Sequence, residues 1–422
     1  MASIQKPLRA NGPASAALLR SAYGAGHFAK SLAWTFTDLL LAYYANVRLG
    51  LSAAETGLLL FFSMAYGAVL DIGVAFLLRR AEGSRRRILL IQFAAGLATA
   101  TTLMIVFSPV HGALPPFAYL IVALGLLRTA YAVYDVAQNA LVSLLPSDGA
   151  DAERYVVLRQ ALSALARLCV AALSFLVVGQ GVREGREIVV VGAIAILIAL
   201  TAGWILRWAG PAPVMATPPR LKGLTTPRGI GRLLLAAAAQ AGPLSMTARM
   251  VTFVERDGPH DHTGAALLFA LVLGNLIGPI AVARWPSRGD VGPQALGFTT
   301  LALIAGAVFL ADPWSGPVAL VACCAHGVGL GGVMTLFWRG MSAAIRHHAE
   351  QTGVRTDMAA FALLTATLKL SSAVFGASLG LLLDGFKAAD PMSLLALAVM
   401  TAAGGVGFVL AIAPVRSFGA RV

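Results

Sequence analysis

Long apolar stretches recur along the whole chain, and short polar or glycine-rich segments separate them. A transmembrane helix needs about 20 predominantly apolar residues. Because lipid offers no partner to backbone N–H and C=O groups, such stretches are expected to be helical. Twelve can be placed, near 27–47, 53–78, 88–108, 115–145, 155–179, 187–206, 233–254, 263–283, 293–311, 316–345, 357–383 and 391–413. The pattern predicts an all-α membrane protein with twelve transmembrane helices.

The composition supports this class. Of the 422 residues, 58% are hydrophobic and 12% are charged, and the charged fraction is about half that of an average soluble protein. The net charge of +13 does not indicate a nucleic-acid partner, because the cations are not clustered as a binding face requires. The three cysteines lie inside apolar stretches, so no disulfide framework is expected. The composition excludes a soluble domain.

Lysine and arginine are unevenly distributed between the loops. With the N-terminus inside, the inner segments hold 20 of them and the outer loops hold 5. The positive-inside rule then predicts a multi-pass protein of the cell (inner) membrane with both termini in the cytoplasm. Residues 209–232 are rich in proline, glycine and basic residues, which predicts a cytoplasmic linker. It would join an N-terminal six-helix bundle, 1–208, to a C-terminal one, 233–422, as in the major facilitator fold.

Ten charged residues fall within or near the ends of the predicted spans. A charge at the bilayer centre costs roughly 2.5–3.5 kcal/mol, so it normally faces a cavity or a partner. The acids are Asp38, Asp71 and Asp135, and the cations are Lys30, Arg128, Arg159, Arg167, Arg249, Arg339 and Lys369. Arg249 and Arg339 are expected to extend to the membrane interface.

Helical spacing groups these residues into polar stripes on three spans. The stripes are Arg128, Tyr131, Asp135, Gln138 and Asn139 on span four, Arg159, Ser163 and Arg167 on span five, and Thr365, Lys369 and Ser372 on span eleven. One interpretation is a water-accessible central cavity between the halves, and the other is a set of static ion pairs that hold helices together. The excess of cations over acids favours the cavity, because pairing alone cannot neutralise them.

Three stretches carry a family resemblance. They are AYGAGHFAKSLAWTFTDLLLAYYANVRLGLS with Lys30, YDVAQNALVSLLPSDGADAERYVVLRQALSALA with Asp135 and Arg159, and EQTGVRTDMAAFALLTATLKLSSAVFG with Lys369. In order and spacing they resemble the glycoside–pentoside–hexuronide cation symporters, the melibiose permease group of the major facilitator superfamily. The resemblance touches both halves and covers most of the first.

The resemblance implies secondary active transport and a role for each matching residue. Asp71 matches the second carboxylate of a helix-two pair that holds the coupling cation. Asp135 matches an acid that serves both the cation and sugar hydroxyls, and Arg159 matches an arginine that lines the sugar site. Lys369 matches a lysine near the cation site, and Lys30 matches a lysine beside the substrate.

The departures from the family concern the same sites. The other helix-two acid falls on Gly67, a helix-one acid falls on Ser31, and the tryptophan that stacks on a sugar ring falls on Asn139. Sodium coordination needs several hard oxygen ligands, whereas a proton needs one titratable group. A coupling proton is therefore expected rather than sodium.

These observations predict a proton-coupled symporter that moves a polar or anionic small solute, such as a glycoside or uronide, by alternating access. It is expected to act as a monomer in the lipid bilayer, without a cofactor or metal. Cation coupling is expected at Asp71, Asp135 and Lys369. Substrate contacts are expected from Lys30, Asp38, Arg128, Tyr131, Asp135, Asn139, Arg159, Thr365 and Lys369.

Two alternatives remain open from the sequence. One is a non-transporting sensor or assembly factor on the same scaffold, since the cation site is altered. The other is a transporter of a lipid-like substrate. An enzyme is not expected, because the sequence holds neither a Ser/His/Asp arrangement nor a metal-ligand spacing. No P-loop pattern GxxxxGK[ST] is present either, so ATP-driven transport is not indicated.

Overall fold

The computed structural model describes residues 13–78, 85–108, 114–145, 149–178, 185–208, 230–254, 262–285, 292–352, 357–388, 390–397 and 399. Within these ranges the chain forms eleven long α-helices and the start of a twelfth at 391–397, and no strand occurs. The helices are α1 Pro13–Tyr43, α2 Ala53–Leu78, α3 Arg85–Val106, α4 Pro116–Leu144, α5 Gly149–Ser174, α6 Arg186–Trp208, α7 Ile230–Met250, α8 Thr263–Arg284, α9 Gly292–Ala311, α10 Pro317–Thr352 and α11 Asp357–Lys387. The predicted all-α class is confirmed.

Among the described residues, eight helices are long and apolar enough to cross a membrane by length and composition, and α1, α5 and α7 are not among these eight. The apolar part of α5 is limited to Ala161–Ser174. Two helices begin well before the predicted bounds, α1 at Pro13 rather than 27 and α5 at Gly149 rather than 155. The start of α5 carries Asp151, Glu153 and Arg154, so the apolar pattern did not reveal it. The start of α1 consists mainly of small residues followed by Arg20, which interrupts the apolar run. Most of the twelfth predicted span, 391–413, lies outside the described residues.

The turn into α2 shows how local sequence sets the register of the site. Gly50 has a φ of +68°, a conformation that glycine adopts without steric cost. The Ser52 N–H and hydroxyl then donate to Glu55 Oε2 at 2.9 and 2.8 Å, and the Glu55 N–H donates to Ser52 Oγ at 3.2 Å. This reciprocal capping box starts the helix at a defined residue. It thereby fixes the face on which Asp71 emerges, roughly five turns later.

The helices pack as two bundles. In the first, α1 packs against α5 and α6, α3 against α4 and α6, and α2 against α4; in the second, α10 packs against α8 and α9, and α7 against α11. The bundles meet through α2 with α11, α5 with α8, and α1 with α7. The chain therefore has the major facilitator fold. The predicted boundary segment lies mostly outside the described residues, so the domain limits stay a prediction.

The two bundles share apolar packing mainly at one end, which we term the closed end. There, where α1 ends and α2 begins, one large cluster includes Tyr43 and Leu51 of the first bundle and Phe253 and Leu379 of the second. At the opposite end two further clusters each belong to a single bundle. One small cluster there joins the bundles, through Val74, Ala75, Ala132, Val136 and Ala362. The bundles are thus joined firmly at one end and sparsely at the other.

Candidate functional site

A first ion pair joins α1 to α4 inside the first bundle. Lys30 Nζ is ion-paired with Asp135 Oδ1 and donates to Asn139 Oδ1 at 3.2 Å. Asp135 and Asn139 lie one turn apart on α4, so both present oxygen atoms to α1. Lys30 and Asp135 are buried. Arg159 of α5 is half-buried and its positive charge acts on Asp135. The structure brings these four predicted residues together.

A second ion pair crosses between the bundles. Lys369 Nζ of α11 donates to Asp71 Oδ1 of α2 at 2.6 Å, and the Asp71 residue is completely buried. Its other oxygen, Oδ2, has no hydrogen-bond partner among the described residues. Thr365 lies one turn before Lys369, and its hydroxyl donates to the Ala362 carbonyl at 3.1 Å. The pair therefore ties the two bundles together through a carboxylate with one unused oxygen.

Trp34 of α1 lies between the charged helices. Lys369 Nζ is 5.0 Å from the centroid of its ring, and Arg128 Cζ is 4.8 Å from it. The Tyr131 ring packs beside it, with the ring centroids 5.3 Å apart. Arg128 Nε donates to Ser63 Oγ of α2 at 2.7 Å. Trp34, Ser63, Asp71, Arg128 and Lys369 form what we term the Trp34 cluster.

Sequence reasoning missed two members of this cluster, Trp34 and Ser63. Trp34 lies four residues after Lys30, so helical spacing placed both on one face of α1. That spacing was the signal that could have found it. Ser63 is uncharged within an apolar helix, and its spacing does not distinguish it from the other small residues of α2.

Gly67, the position at which the sequence departs from the symporter pattern, faces this cluster. A Cβ atom on Gly67 would lie 3.6 Å from Lys369 Cδ and 3.7 Å from Arg128 Cδ. These are ordinary contact distances, so a small side chain would fit there. The position at which the resembled symporters have an acid, and this chain has Gly67, therefore lies between the side chains of Lys369 and Arg128.

A third ion pair corrects one expectation. Arg249 of α7 does not extend to the membrane interface: it is fully buried, and its Nη2 donates to Asp38 Oδ1 at 2.6 Å. Its Nε also donates to the Asp38 carbonyl at 3.1 Å. The expectation was wrong because α1 packs against α7 and supplies a carboxylate at that depth. The side chain of Arg339 lies outside the described residues.

Further polar contacts surround α5. Arg167 Nη1 donates to Asn275 Oδ1 of α8 at 2.8 Å, which forms another bond between the bundles. His27 Nε2 lies 2.7 Å from Ser163 Oγ, and Ser31 Oγ lies 3.3 Å from the same atom. Asn275 was not predicted, and its only sequence signal is a side-chain amide within the apolar α8.

Each of the three acids of this region is ion-paired with one cation, Asp38 with Arg249, Asp71 with Lys369 and Asp135 with Lys30. Two further arginines, Arg128 and Arg167, donate to the neutral side-chain oxygens of Ser63 and Asn275. Among the described residues, no group of three or more His, Cys, Asp or Glu side chains is placed to hold a metal ion.

An apolar groove lies apart from these charges. It has a volume of about 920 Å³ and runs between α2, α3 and α4 of the first bundle. Phe62 and Tyr66 line it from α2, and the Tyr66 hydroxyl lies 3.0 Å from Thr129 Oγ1 of α4. None of the ion-paired residues lines this groove.

The sequence matches a model of the MFS/sugar transport protein family over residues 22–415. The chain belongs to this family. The match confirms the resemblance to major facilitator sugar symporters that the sequence motifs indicate. This protein is therefore a multi-pass membrane transporter, and its family is one of transporters rather than enzymes.

Solved structures show the same fold for this transporter. The nucleoside transporter NupG superposes with a TM-score of 0.64 at 13% sequence identity, covering 93% of this chain and 99% of that one. A bacterial homologue of the human lysosomal transporter Spinster, in an inward-facing and unoccupied conformation, superposes with a TM-score of 0.62 at 16% identity. Here 95% of this chain and 98% of that one are covered. Comparison with curated proteins gives no significant sequence match.

Proposed function

We propose that this transporter is a proton-coupled symporter that moves a polar or anionic small solute, such as a glycoside or a uronide, by alternating access. The observation that carries the proposal is the buried Lys369–Asp71 ion pair between the bundles. Alternating access requires the bundles to rock against each other around a central site. A titratable bond across that interface couples protonation to the movement.

Asp71 has the chemistry of the coupling group. Removing the charge from one partner of a buried ion pair destabilises the pair strongly, so a proton on Asp71 would release Lys369. Asp71 Oδ2 has no partner among the described residues and is the atom that would take the proton. Because Gly67 carries no side chain, the second carboxylate that sodium coordination would draw on is missing there. These features favour a proton as the coupling ion.

The solute contacts are proposed around the first ion pair. Lys30 and Arg159 supply positive donors there, whereas Asp135 and Asn139 supply acceptors. Such a mixed set suits a solute with many hydroxyl groups or with an acidic group. Protonation of Asp135 would free Lys30 for the solute in the same way. Tyr131 and Thr365 are proposed to contact the solute from the side of Trp34 and Asp71, and Asp38 is proposed to contact it from the side of Arg249.

The orientation follows from the basic inner loops. With both termini in the cytoplasm of a cell whose inner membrane holds this transporter, the closed end faces outward. The described state then opens inward. We propose that the transporter functions as a monomer, because all residues of the proposed site come from one chain.

A lipid-like substrate is the second candidate. The groove of about 920 Å³ between α2, α3 and α4 favours it, because that groove is lined mainly by apolar residues such as Phe62 and Ile91. Transport of this kind would use the groove rather than the charged cluster. Substitutions in the cluster would then leave the flux unchanged.

Uptake into proteoliposomes under an imposed pH gradient tests the proposal, with radiolabelled glucuronate and methyl galactoside as solutes. We expect the wild type to concentrate solute and the double variant Asp71→Asn, Asp135→Asn to lose this concentration. Asp384→Asn is the control, since Asp384 is an exposed carboxylate on the same helix as Lys369. Proton-driven accumulation by the double variant would refute coupling through these residues. No flux from the wild type would favour a non-transporting sensor or assembly factor.

A further inference from the structure

The Trp34 cluster carries more positive than negative charge. Two cations, Arg128 and Lys369, lie over the same indole ring. The carboxylate of the cluster, Asp71, is bonded to Lys369. Interaction with an aromatic face offsets part of the cost of burying a cation, but it does not neutralise the charge. The cluster can therefore accept one further negative charge.

Arg128 has unused hydrogen-bonding capacity inside this cluster. Its residue is 2% exposed, and its Nε is occupied by Ser63 Oγ. Its Nη2 is buried and has no hydrogen-bond partner among the described residues. A guanidinium group presents five N–H donors in a fixed plane, and leaving a buried charged donor unsatisfied is costly. The geometry thus presents a donor that lacks an acceptor.

Gly67 marks where an acceptor would fit. Because a Cβ at this position would lie 3.6 Å from Lys369 and 3.7 Å from Arg128, the space of a small group remains between the two side-chain stems. A carboxylate at this point would be in reach of both cations. Gly67 has no side chain to fill this space, which leaves it open to the negative group of a ligand.

We infer that Arg128, Lys369 and Trp34 form a subsite for an anionic group of the transported solute, either a carboxylate or a phosphate. The inference rests on the proposed function, because the solute would arrive by the transport route. Arginine suits either anion, since its planar donors can bind two oxygen atoms at once. An anion bound in this subsite would neutralise the excess positive charge of the Trp34 cluster before the bundles move.

Substitutions at Gly67 test the subsite without removing any existing contact. Binding of inorganic phosphate and of acetate to the purified wild type is measured by tryptophan fluorescence at constant ionic strength and without a pH gradient. We expect Gly67→Asp to weaken binding roughly tenfold or more, the loss expected for one charge-assisted hydrogen bond, because its carboxylate would occupy the subsite. Gly67→Asn fills nearly the same space without the charge, so it should bind the anions more tightly than Gly67→Asp, and the difference between the two variants measures the effect of the charge.

Arg128→Gln supplies the second test and Arg167→Gln its matched control, since Arg167 is another arginine of the first bundle whose guanidinium already has an acceptor in Asn275. We expect anion binding to fall in the first variant and to persist in the second. If Arg128 served only to support the fold, Arg128→Gln would lower thermal stability and leave anion binding intact. Unchanged binding in both Gly67→Asp and Arg128→Gln, or no binding of either anion to the wild type, would overturn the inference.

Glucuronate, glucose 6-phosphate and glucose then distinguish the two anionic groups. The same fluorescence measurement is made with each sugar. Tighter binding of glucuronate assigns a carboxylate, and tighter binding of glucose 6-phosphate assigns a phosphate. Equal binding of neutral glucose contradicts the subsite. These measurements use no pH gradient, so they are separate from the test of coupling. Loss of proton-driven uptake with intact anion binding would refute the proposed coupling alone.

Discussion

At the scale of single residues, the interior is organised by ion pairs whose partners come from different helices. Asp71 is completely buried and depends on Lys369 for its compensating charge. Removing one partner of such a pair leaves an uncompensated charge in a low-dielectric surrounding, whereas replacing both partners by neutral groups is often tolerated. Stability should therefore respond to the balance of charge and not to either residue alone.

Lys369→Met is expected to lower the free energy of unfolding by about 3–5 kcal/mol, because it strands the Asp71 carboxylate. Adding Asp71→Asn to this variant should recover most of the loss. Unfolding in a denaturing detergent titration measures both changes. Asp384→Asn is the control, since this exposed carboxylate on the same helix should alter stability by less than about 0.5 kcal/mol. If the double variant were as unstable as Lys369→Met alone, the loss of stability would not be due to the unpaired Asp71 carboxylate.

Helical spacing predicted which charged residues share a face, but it did not predict their partners. The stripe with Arg128 and Asp135 was visible at intervals of three and four residues. That Asp135 binds Lys30 while Arg128 turns to Trp34 depends on how α1 lies against α4. Arg249 shows the same limit, because its burial depends on the approach of α7 to α1. The local sequence therefore predicts which residues share a face of a helix, but not which neighbouring helix that face contacts.

At the scale of elements, glycines decide where helices can touch. A Cβ on Gly57 of α2 would lie 2.7 Å from Gly380 Cα of α11, so these backbones are in direct contact near the closed end. Between α8 and α10, a Cβ on Gly274 would collide with the Cys324 carbonyl, and one on Gly327 with that of Leu271. Small residues allow such close approach of membrane helices. The 44 glycines of the sequence predicted this kind of packing, but not which pairs meet.

Gly57→Val is expected to separate α2 from α11 at the closed end, because the added side chain has no space. Overpacking of this kind typically costs about 1–3 kcal/mol, which should appear as a lower thermal unfolding temperature. Gly73→Val is the matched control on the same helix, since a Cβ there meets nothing within 4 Å. Equal stability of the two variants would show that the contact between Gly57 and Gly380 is unimportant.

At the scale of the whole molecule, the two bundles are held together unevenly. The shared apolar cluster, the Gly57–Gly380 contact and the Arg249–Asp38 pair all lie toward the closed end. At the same end Lys387 Nζ donates to Asn46 Oδ1 at 2.6 Å. Opening this end must break these contacts together, whereas the opposite end has one small joint cluster.

Linking positions 46 and 387 should therefore stop the cycle. In a background without the three native cysteines, Asn46→Cys with Lys387→Cys is treated with a short bis-maleimide and reconstituted for uptake. We expect the linked protein to bind anions and to lose solute accumulation, because its closed end cannot open. The single variant Asn46→Cys, treated in the same way, should retain accumulation. Accumulation by the fully linked protein would show that this end does not open during transport.

The whole-molecule architecture was the most predictable feature. Apolar length specifies membrane helices nearly independently of their neighbours, so the fold class followed from the sequence. The beginnings of α1 and α5 did not, since α5 starts with charged residues and Arg20 interrupts the apolar run near the start of α1. The uneven contact between the bundles was also not predictable, because it depends on how helices distant in sequence pack against each other.

The positive charge of the Trp34 cluster has an electrical consequence. Its two cations, Arg128 and Lys369, face one carboxylate within the cluster, Asp71, so an empty site leaves the cluster with a net positive charge in the membrane field. Each elementary charge that crosses the full field changes the energy by about 2.3 kcal/mol per 100 mV. A bound anion removes one such charge. In the proposed cycle, the membrane voltage therefore acts more strongly on the reorientation of the empty carrier than on that of the carrier with bound solute. Transient currents should appear when solute is absent.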